Sequence, residues 1–384
     1  MKGTPVSSSP LSSTSGESTT GERQPRGTAR RRTLSIGSLA LSAALLAGCS
    51  TGPAGGSESE SAGASESSTS SDATFPRTVE HVYGETEIPA QPERVATVSW
   101  VNQDVSLALG VAPVGVAATE YGGNAEQSTD WFDAALEESG AEAPEQYSEA
   151  DGINFEALAA TEPDIILAAY SGITQEEYDK LSAIAPVVAY PEDTPAFTTA
   201  WQDSTRLIGE ALGKEEKAEE VITDVEEQVA QAAEEYPALE GTTFLSGSVD
   251  PAAADQIYLF TAADNRPKFL TSLGMELAPV LAENEEAQEA FFLTWSPERA
   301  DELDSDILIT SAADDSVGDA IKADPLLSKI PAVQEDTLVL QTDEQEVLST
   351  SAASPLSIPW ALDHVVPDLA EAAEQAEQSE TAGN

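Results

Sequence analysis

Basic side chains are scarce in this chain of 384 residues. It has 17 Lys and Arg against 69 Asp and Glu and a formal net charge of −52, so an arginine in a loop is worth following first. Arg266 stands in the loop Asp264-Asn265-Arg266-Pro267, just past the apolar run Ile257-Tyr258-Leu259-Phe260. A guanidinium there is always charged and offers a fork of donors that fits the paired oxygens of an anionic group such as a carboxylate. It equally suits a surface ion pair with one of the many acids. Trp100, Tyr121, Tyr170, Trp201 and Trp295 are aromatic side chains suited to the walls of a shallow ligand cleft, and equally to a core. Arg206, on a helical stretch, is a lesser candidate contact. These residue types bind. Acid–base and nucleophilic signatures are missing: there is no G-x-S-x-G elbow, no H-E-x-x-H and no cysteine beyond position 49. His81 and His364 lie near opposite ends and cannot supply the several His and carboxylate ligands of a zinc or manganese receptor. No catalytic residue, resident metal or cofactor is expected. An acid pair hidden among so many carboxylates, as in an anchored surface hydrolase, stays open as a rival.

Two glutamates carry a second kind of chemistry. In Ile153-Asn154-Phe155-Glu156, Asn154 can cap a helix whose first turn holds Glu156; Pro163 stops that helix and Asp164 opens the apolar run Ile165-Ile166-Leu167. The arrangement returns as Ser296-Pro297-Glu298 followed by Asp306-Ile307-Leu308-Ile309, with the same number of residues between glutamate and aspartate. A carboxylate in a first helical turn complements the helix dipole with no partner at all, by about 0.3–1 kcal/mol. Its matched placement in both halves points to two similar α/β halves.

The elements that must position these residues repeat as well. Arg94–Val98 and Pro113–Ala117 read as strands around a helix from Asn102 to Leu109, and Pro186–Tyr190 as a strand after a helix from about Gln175 to Ile184. Strands alternating with helices predict an α/β fold with mostly parallel, doubly wound sheets, whose ligands bind at the carboxyl ends of strands. Between about Phe197 and Tyr236 the periodicity is helical, with Ala218, Val221, Ile222, Val225, Val229 and Ala232 on one face and Gly213 as a break. The predicted organisation is a signal peptide at 1–48, a flexible Ser/Gly/Glu tether at 49–73, an N-terminal lobe at 74–198, an inter-lobe helix at 199–238, a C-terminal lobe at 239–370 and an acidic tail at 371–384.

Cys49 is the only cysteine, which rules out an internal disulfide. Arg30-Arg31-Arg32 precede an apolar stretch from Leu34 to Ala47 that closes on Leu46-Ala47-Gly48-Cys49. That pattern resembles a bacterial lipobox, with a positive start and an apolar segment too short to span a bilayer. It implies lipidation of Cys49 and attachment at the extracytoplasmic face of the cell membrane, by an export route left open between Sec and twin-arginine. Removing residues 1–48 takes away six basic and two acidic residues, leaving 11 against 67. Such a body repels nucleic acid, which is excluded as a partner.

Together Ile88-Pro89-Ala90-Gln91-Pro92-Glu93-Arg94-Val95, Leu109-Gly110-Val111-Ala112-Pro113-Val114-Gly115-Val116, Leu181-Ser182-Ala183-Ile184-Ala185-Pro186-Val187-Val188 and the Glu156 stretch resemble the ferric-siderophore-binding lipoproteins that serve ABC importers. The resemblance runs from about Ile88 to Leu369. It implies two Rossmann-like lobes joined by a long rigid helix, a monomer, and a ferric siderophore bound in the cleft between the lobes as transported ligand. It also implies that Glu156 and Glu298 dock onto the permease. The overall charge leans towards a hydroxamate siderophore; haem and cobalamin remain alternative cargoes.

Overall fold

The computed structural model describes residues 74–253, 255–288 and 290–383. The signal segment 1–48, Cys49 and the tether 49–73 of the sequence reading lie outside them.

An antiparallel hairpin of β1 (Arg77–His81) and β2 (Gly84–Ile88) comes first and buries Val79 and Ile88 against the N-terminal lobe. The lobe continues through β3 (Val95–Thr97), α1 (Asn102–Ala108), β4 (Gly115–Ala117), α2 (Asp130–Ser139), β5 (Glu145–Tyr147), α3 (Phe155–Ala160), β6 (Ile165–Ala168), α4 (Gln175–Ser182) and β7 (Val187–Ala189). Its sheet has the order β5-β4-β3-β6-β7 and every pairing is parallel. The strand β6 is covered on both faces, as its unbroken apolar run requires. Ile165 and Leu167 pack with Val95, Ile208 and Leu212, while Ile166 and Ala168 pack with Leu158, Leu181 and Val187.

The connector is two helices, α5 (Trp201–Leu212) and α6 (Glu215–Glu235), parted at the expected break at Gly213. Gly213 ends α5 in the left-handed conformation at φ 67°, which glycine adopts without a Cβ clash. The helix α6 still acts as a strut. Ala218 and Val221 near its start belong to the N-terminal core, and Val225, Val229 and Ala232 further along belong to the C-terminal core.

The second lobe comprises β8 (Thr243–Ser248), β9 (Ile257–Phe260), α7 (Asn265–Ser272), β10 (Glu276–Leu277), α8 (Pro279–Ala282), β11 (Phe292–Trp295), a 3₁₀ segment Pro297–Glu302, β12 (Ile307–Ser311), α9 (Ser316–Ala323), α10 (Pro331–Gln334), β13 (Leu338–Gln341), α11 (Glu344–Ser351), α12 (Ser357–His364) and α13 (Val366–Gly383). Its sheet runs β11-β9-β8-β12-β13, with β10 also beside β8. Here β9 pairs antiparallel with both β8 and β11, so only part of this sheet follows the parallel expectation. The segment expected as a tail from 371 is part of α13, whose Ala372 and Ala373 are buried in the C-terminal core.

The repeated aspartates tie neighbouring strands within each sheet in the same way. Asp164 accepts hydrogen bonds from the amides of Glu93 (2.8 Å) and Arg94 (3.0 Å), at the entry to β3. Asp306 accepts from the amide and hydroxyl of Thr243 (both 2.7 Å), at the entry to β8. Each aspartate stands just before one strand and holds the start of its parallel neighbour.

Candidate functional site

Loops that follow β3, β4, β6 and β7 meet the segments after β9 and before β11 around a cavity of about 350 Å³ between the lobes. Trp100, Tyr170 and Phe197 line it from the N-terminal lobe, Asp264, Arg266 and Phe291 from the other, and Tyr121 closes one side. Four sequence candidates, Trp100, Tyr121, Tyr170 and Arg266, are thus brought together. Trp201 is not. It sits in the first turn of α5, packs against the C-terminal core and lines a separate cavity beside Lys268 and Phe269. Trp295 is also elsewhere, for a reason of register. Side chains alternate along β11, so Leu293 and Trp295 turn inward on the apolar cluster of Leu259 and Ala300 while Phe292 and Thr294 face out. The Trp295 indole N–H donates to the Arg299 carbonyl at 2.9 Å. Arg206 pairs on the surface with Glu219 at 2.8 Å, away from the cavity.

Arg266 is held by its own loop. Its Nε and Nη2 donate to the two carboxylate oxygens of Asp264 at 2.8 and 2.7 Å, and the guanidinium carbon lies 3.3 Å from the ring centroid of Phe260. Asp264 also caps α7 by accepting from the Arg266 amide at 2.9 Å. This fork-to-fork pair fixes the orientation of the arginine and cancels its charge. Asp264 and Arg266 are the only charged side chains among the described residues lining the cavity.

The aromatic wall rests on one buried amide. The Asn102 side-chain nitrogen lies 2.8 Å from the Val98 carbonyl, 2.9 Å from that of Trp100 and 2.9 Å from that of Tyr170; its oxygen accepts from the Tyr170 amide at 3.0 Å. One side chain therefore joins the loop after β3 to the loop after β6. From the loop after β5, Glu149 accepts from the Ser99 amide at 2.9 Å. Its other oxygen is buried without a partner, and burial raises the carboxyl pKa to about 7. The backbone here is strained: Ser99, Val101 and Phe197 have φ of 63°, 60° and 60°, a region costly for β-branched and bulky residues. Phe197 can lie over the loop after β6 because position 172 is glycine; a Cβ there would come within 2.1 Å of its ring.

Tyr170 connects the wall to the other lobe. Its hydroxyl accepts from Asn265 at 3.2 Å, and burial pushes its pKa up to about 12, so it stays protonated and keeps a hydrogen to donate. Behind it, the lobes share an apolar seam of Val101, Trp131, Phe132, Tyr170, Leu348 and Ala352. Within the seam Asp104, from α1, accepts from the Trp131 indole at 2.8 Å and from the Ser354 hydroxyl of the other lobe at 2.6 Å. Burial raises that carboxyl to about 6.

Glu156 and Glu298 are both exposed in first helical turns, capped by Asn154 and Ser296. Each follows the carboxyl end of a strand, Glu156 after β5 and Glu298 after β11. The sequence reading missed Phe197, Phe291 and Asp264. The Phe291-Phe292 doublet at a strand start carried a usable signal, since alternation cannot bury both rings on one face. Nothing local marks Phe197.

Two lobes on a shared strut, with an aromatic cavity between them, agree with what the chain is similar to. The family model for periplasmic binding proteins matches residues 95–344. The chain belongs to that family. Its members bind substrates rather than transform them. This binding protein is 31% identical over 170 residues to the probable siderophore-binding lipoprotein YfiY of Bacillus subtilis (strain 168), a match spanning 43% of this chain and 48% of that protein. It is 28% identical over 269 residues to the ferric enterobactin-binding periplasmic protein FepB of Escherichia coli O6:H1, covering 68% and 82% of the two chains. Among solved structures, PiaA of Streptococcus pneumoniae TIGR4 in complex with ferrichrome matches with a TM-score of 0.72 at 34% identity, over 78% of this chain and 99% of that one.

Proposed function

We propose that this binding protein captures a ferric siderophore of low net charge, a ferric hydroxamate, in the inter-lobe cavity. It then presents the complex at the outer face of the cell membrane to an ABC importer permease. The observation that carries the ligand class is the Asp264–Arg266 pair, which leaves an aromatic cavity with no surplus positive charge. Three hydroxamate anions balance Fe³⁺, whereas three catecholates leave three negative charges that a neutral cavity in a strongly acidic body would not balance. The PiaA relative holds ferrichrome, which supports this choice. In this reading Glu156 and Glu298 meet the permease, Cys49 carries the lipid anchor, the protein acts as a monomer, and no covalent step occurs.

Titration of the purified protein with ferric trihydroxamates, ferric tris-catecholates, haem and cobalamin tests the ligand class. A trihydroxamate is expected to bind at least about 100-fold more tightly than a tris-catecholate, near 2.7 kcal/mol. Preference for the catecholate, haem or cobalamin would overturn the assignment.

A further inference from the structure

Six large apolar side chains are exposed among the described residues: Trp100, Tyr121, Phe197, Tyr258, Phe291 and Phe292. Four of them line the cavity. The other two lie outside it, Phe292 on the edge strand β11 and Tyr258 on its neighbour β9, yet they are continuous with it. Phe291, in the cavity wall, meets Phe292 edge-to-face at 4.8 Å, and Phe292 meets Tyr258 at 5.8 Å. The register pairs Phe292 with Phe260, and Thr294 with Tyr258, so all four share the outward face of the two strands. Phe260 in turn lies under the Arg266 guanidinium, back in the cavity. A strip of aromatic rings thus leaves the cavity along the edge of the C-terminal sheet. An exposed apolar strip on an edge strand invites unwanted pairing and is rarely kept without use.

We propose that Tyr258 and Phe292 form an outer subsite for an apolar arm of the ligand, an aryl or acyl substituent that projects beyond the iron centre. The subsite rests on the cavity being a ferric-siderophore site. Continuity with the cavity through Phe291 favours a part of the same ligand over a separate partner.

The test uses two ferric complexes of one linear trihydroxamate whose terminal amine is acetylated in the first and naphthoylated in the second, so that both have the same charge. Wild-type protein is expected to bind the naphthoyl complex about tenfold more tightly. The double variant Tyr258→Ser and Phe292→Ser is expected to lose that gain while binding the acetyl complex within about twofold of wild type, which also shows that it is folded. Equal affinity of wild type for the two complexes, or a gain that survives in the variant, overturns the subsite. Self-association abolished by the variant, without any ligand difference, would assign the strip to a second copy and overturn it too. Failure of wild type to bind either complex contradicts the siderophore reading of the cavity itself.

Discussion

At the scale of single residues, Arg266 and Asn102 do different work. Arg266 lines the cavity as half of a neutral pair. Removing its partner should therefore change selectivity more than strength: Asp264→Asn is expected to improve binding of anionic ferric complexes relative to neutral ones, while Arg266→Ala weakens neutral ones by about tenfold, 1.4 kcal/mol. Competition titrations on the two variants check both. Asn102 is fully buried and holds the backbones of Trp100 and Tyr170, so Asn102→Ala orphans several polar groups. The expected loss is about 1–3 kcal/mol of stability, read from denaturant melts, together with weaker ligand binding. The sequence pointed to Arg266 because basic residues are rare and this one ends a strand. It could not separate Trp100 from Trp295, since both adjoin strands. The distinction lies in alternation along β11, which is set by register against β9.

At the scale of elements, the loops after β3, β4, β6, β7 and β9 make much of the site, and their mutual fit is tighter than their sequences suggest. Gly172→Ala would drive a Cβ into the Phe197 ring, and the expected outcome is reduced affinity with near-normal thermal stability, because the ring can swing into solvent. Calorimetric melts beside a ligand titration separate those two effects. The matched Glu156 and Glu298 turns predict that Glu156→Ala combined with Glu298→Ala leaves binding intact and abolishes uptake in cells; intact uptake would remove the docking role. The repeat of glutamate and aspartate was visible in the sequence as equal spacing. Its structural half, the bonds from Asp164 and Asp306 to the neighbouring strand entries, was not, because those partners are far away in sequence. The hairpin β1–β2 was missed altogether: polar Arg77, Thr78, Glu80, Glu85 and Glu87 alternate with few apolar positions, which leaves little pattern to read.

For the whole molecule, the two-lobe plan was readable from alternating strands and helices and from the apolar face of α6. The antiparallel pairings of β9 and β11 were not, since a short apolar strand gives no sign of its direction. Nor was the seam where Asp104 and Ser354 join the lobes. That seam makes stability depend on pH. Asp104 and Glu149 are raised from 3.8 and 4.5 to about 6 and about 7. Each holds its proton more tightly when folded, so each contributes stability in full below its unfolded value and loses that contribution as pH climbs through its folded value. The melting temperature should rise as pH is lowered from about 8 to about 5, and relief of self-repulsion in so acidic a chain acts in the same direction. Asp104→Asn with Glu149→Gln should flatten that rise; an unchanged slope would mean that neither group titrates in this range.

The most direct test of ferric-siderophore capture between the lobes is tryptophan fluorescence during titration with a ferric trihydroxamate. Of the five tryptophans only Trp100 lines the cavity. Wild type should show saturable quenching, and Trp100→Phe should lose a large part of the quenching amplitude while still binding the complex by calorimetry. No quenching by any ferric complex, or quenching undiminished in Trp100→Phe, would contradict ligand capture at this site.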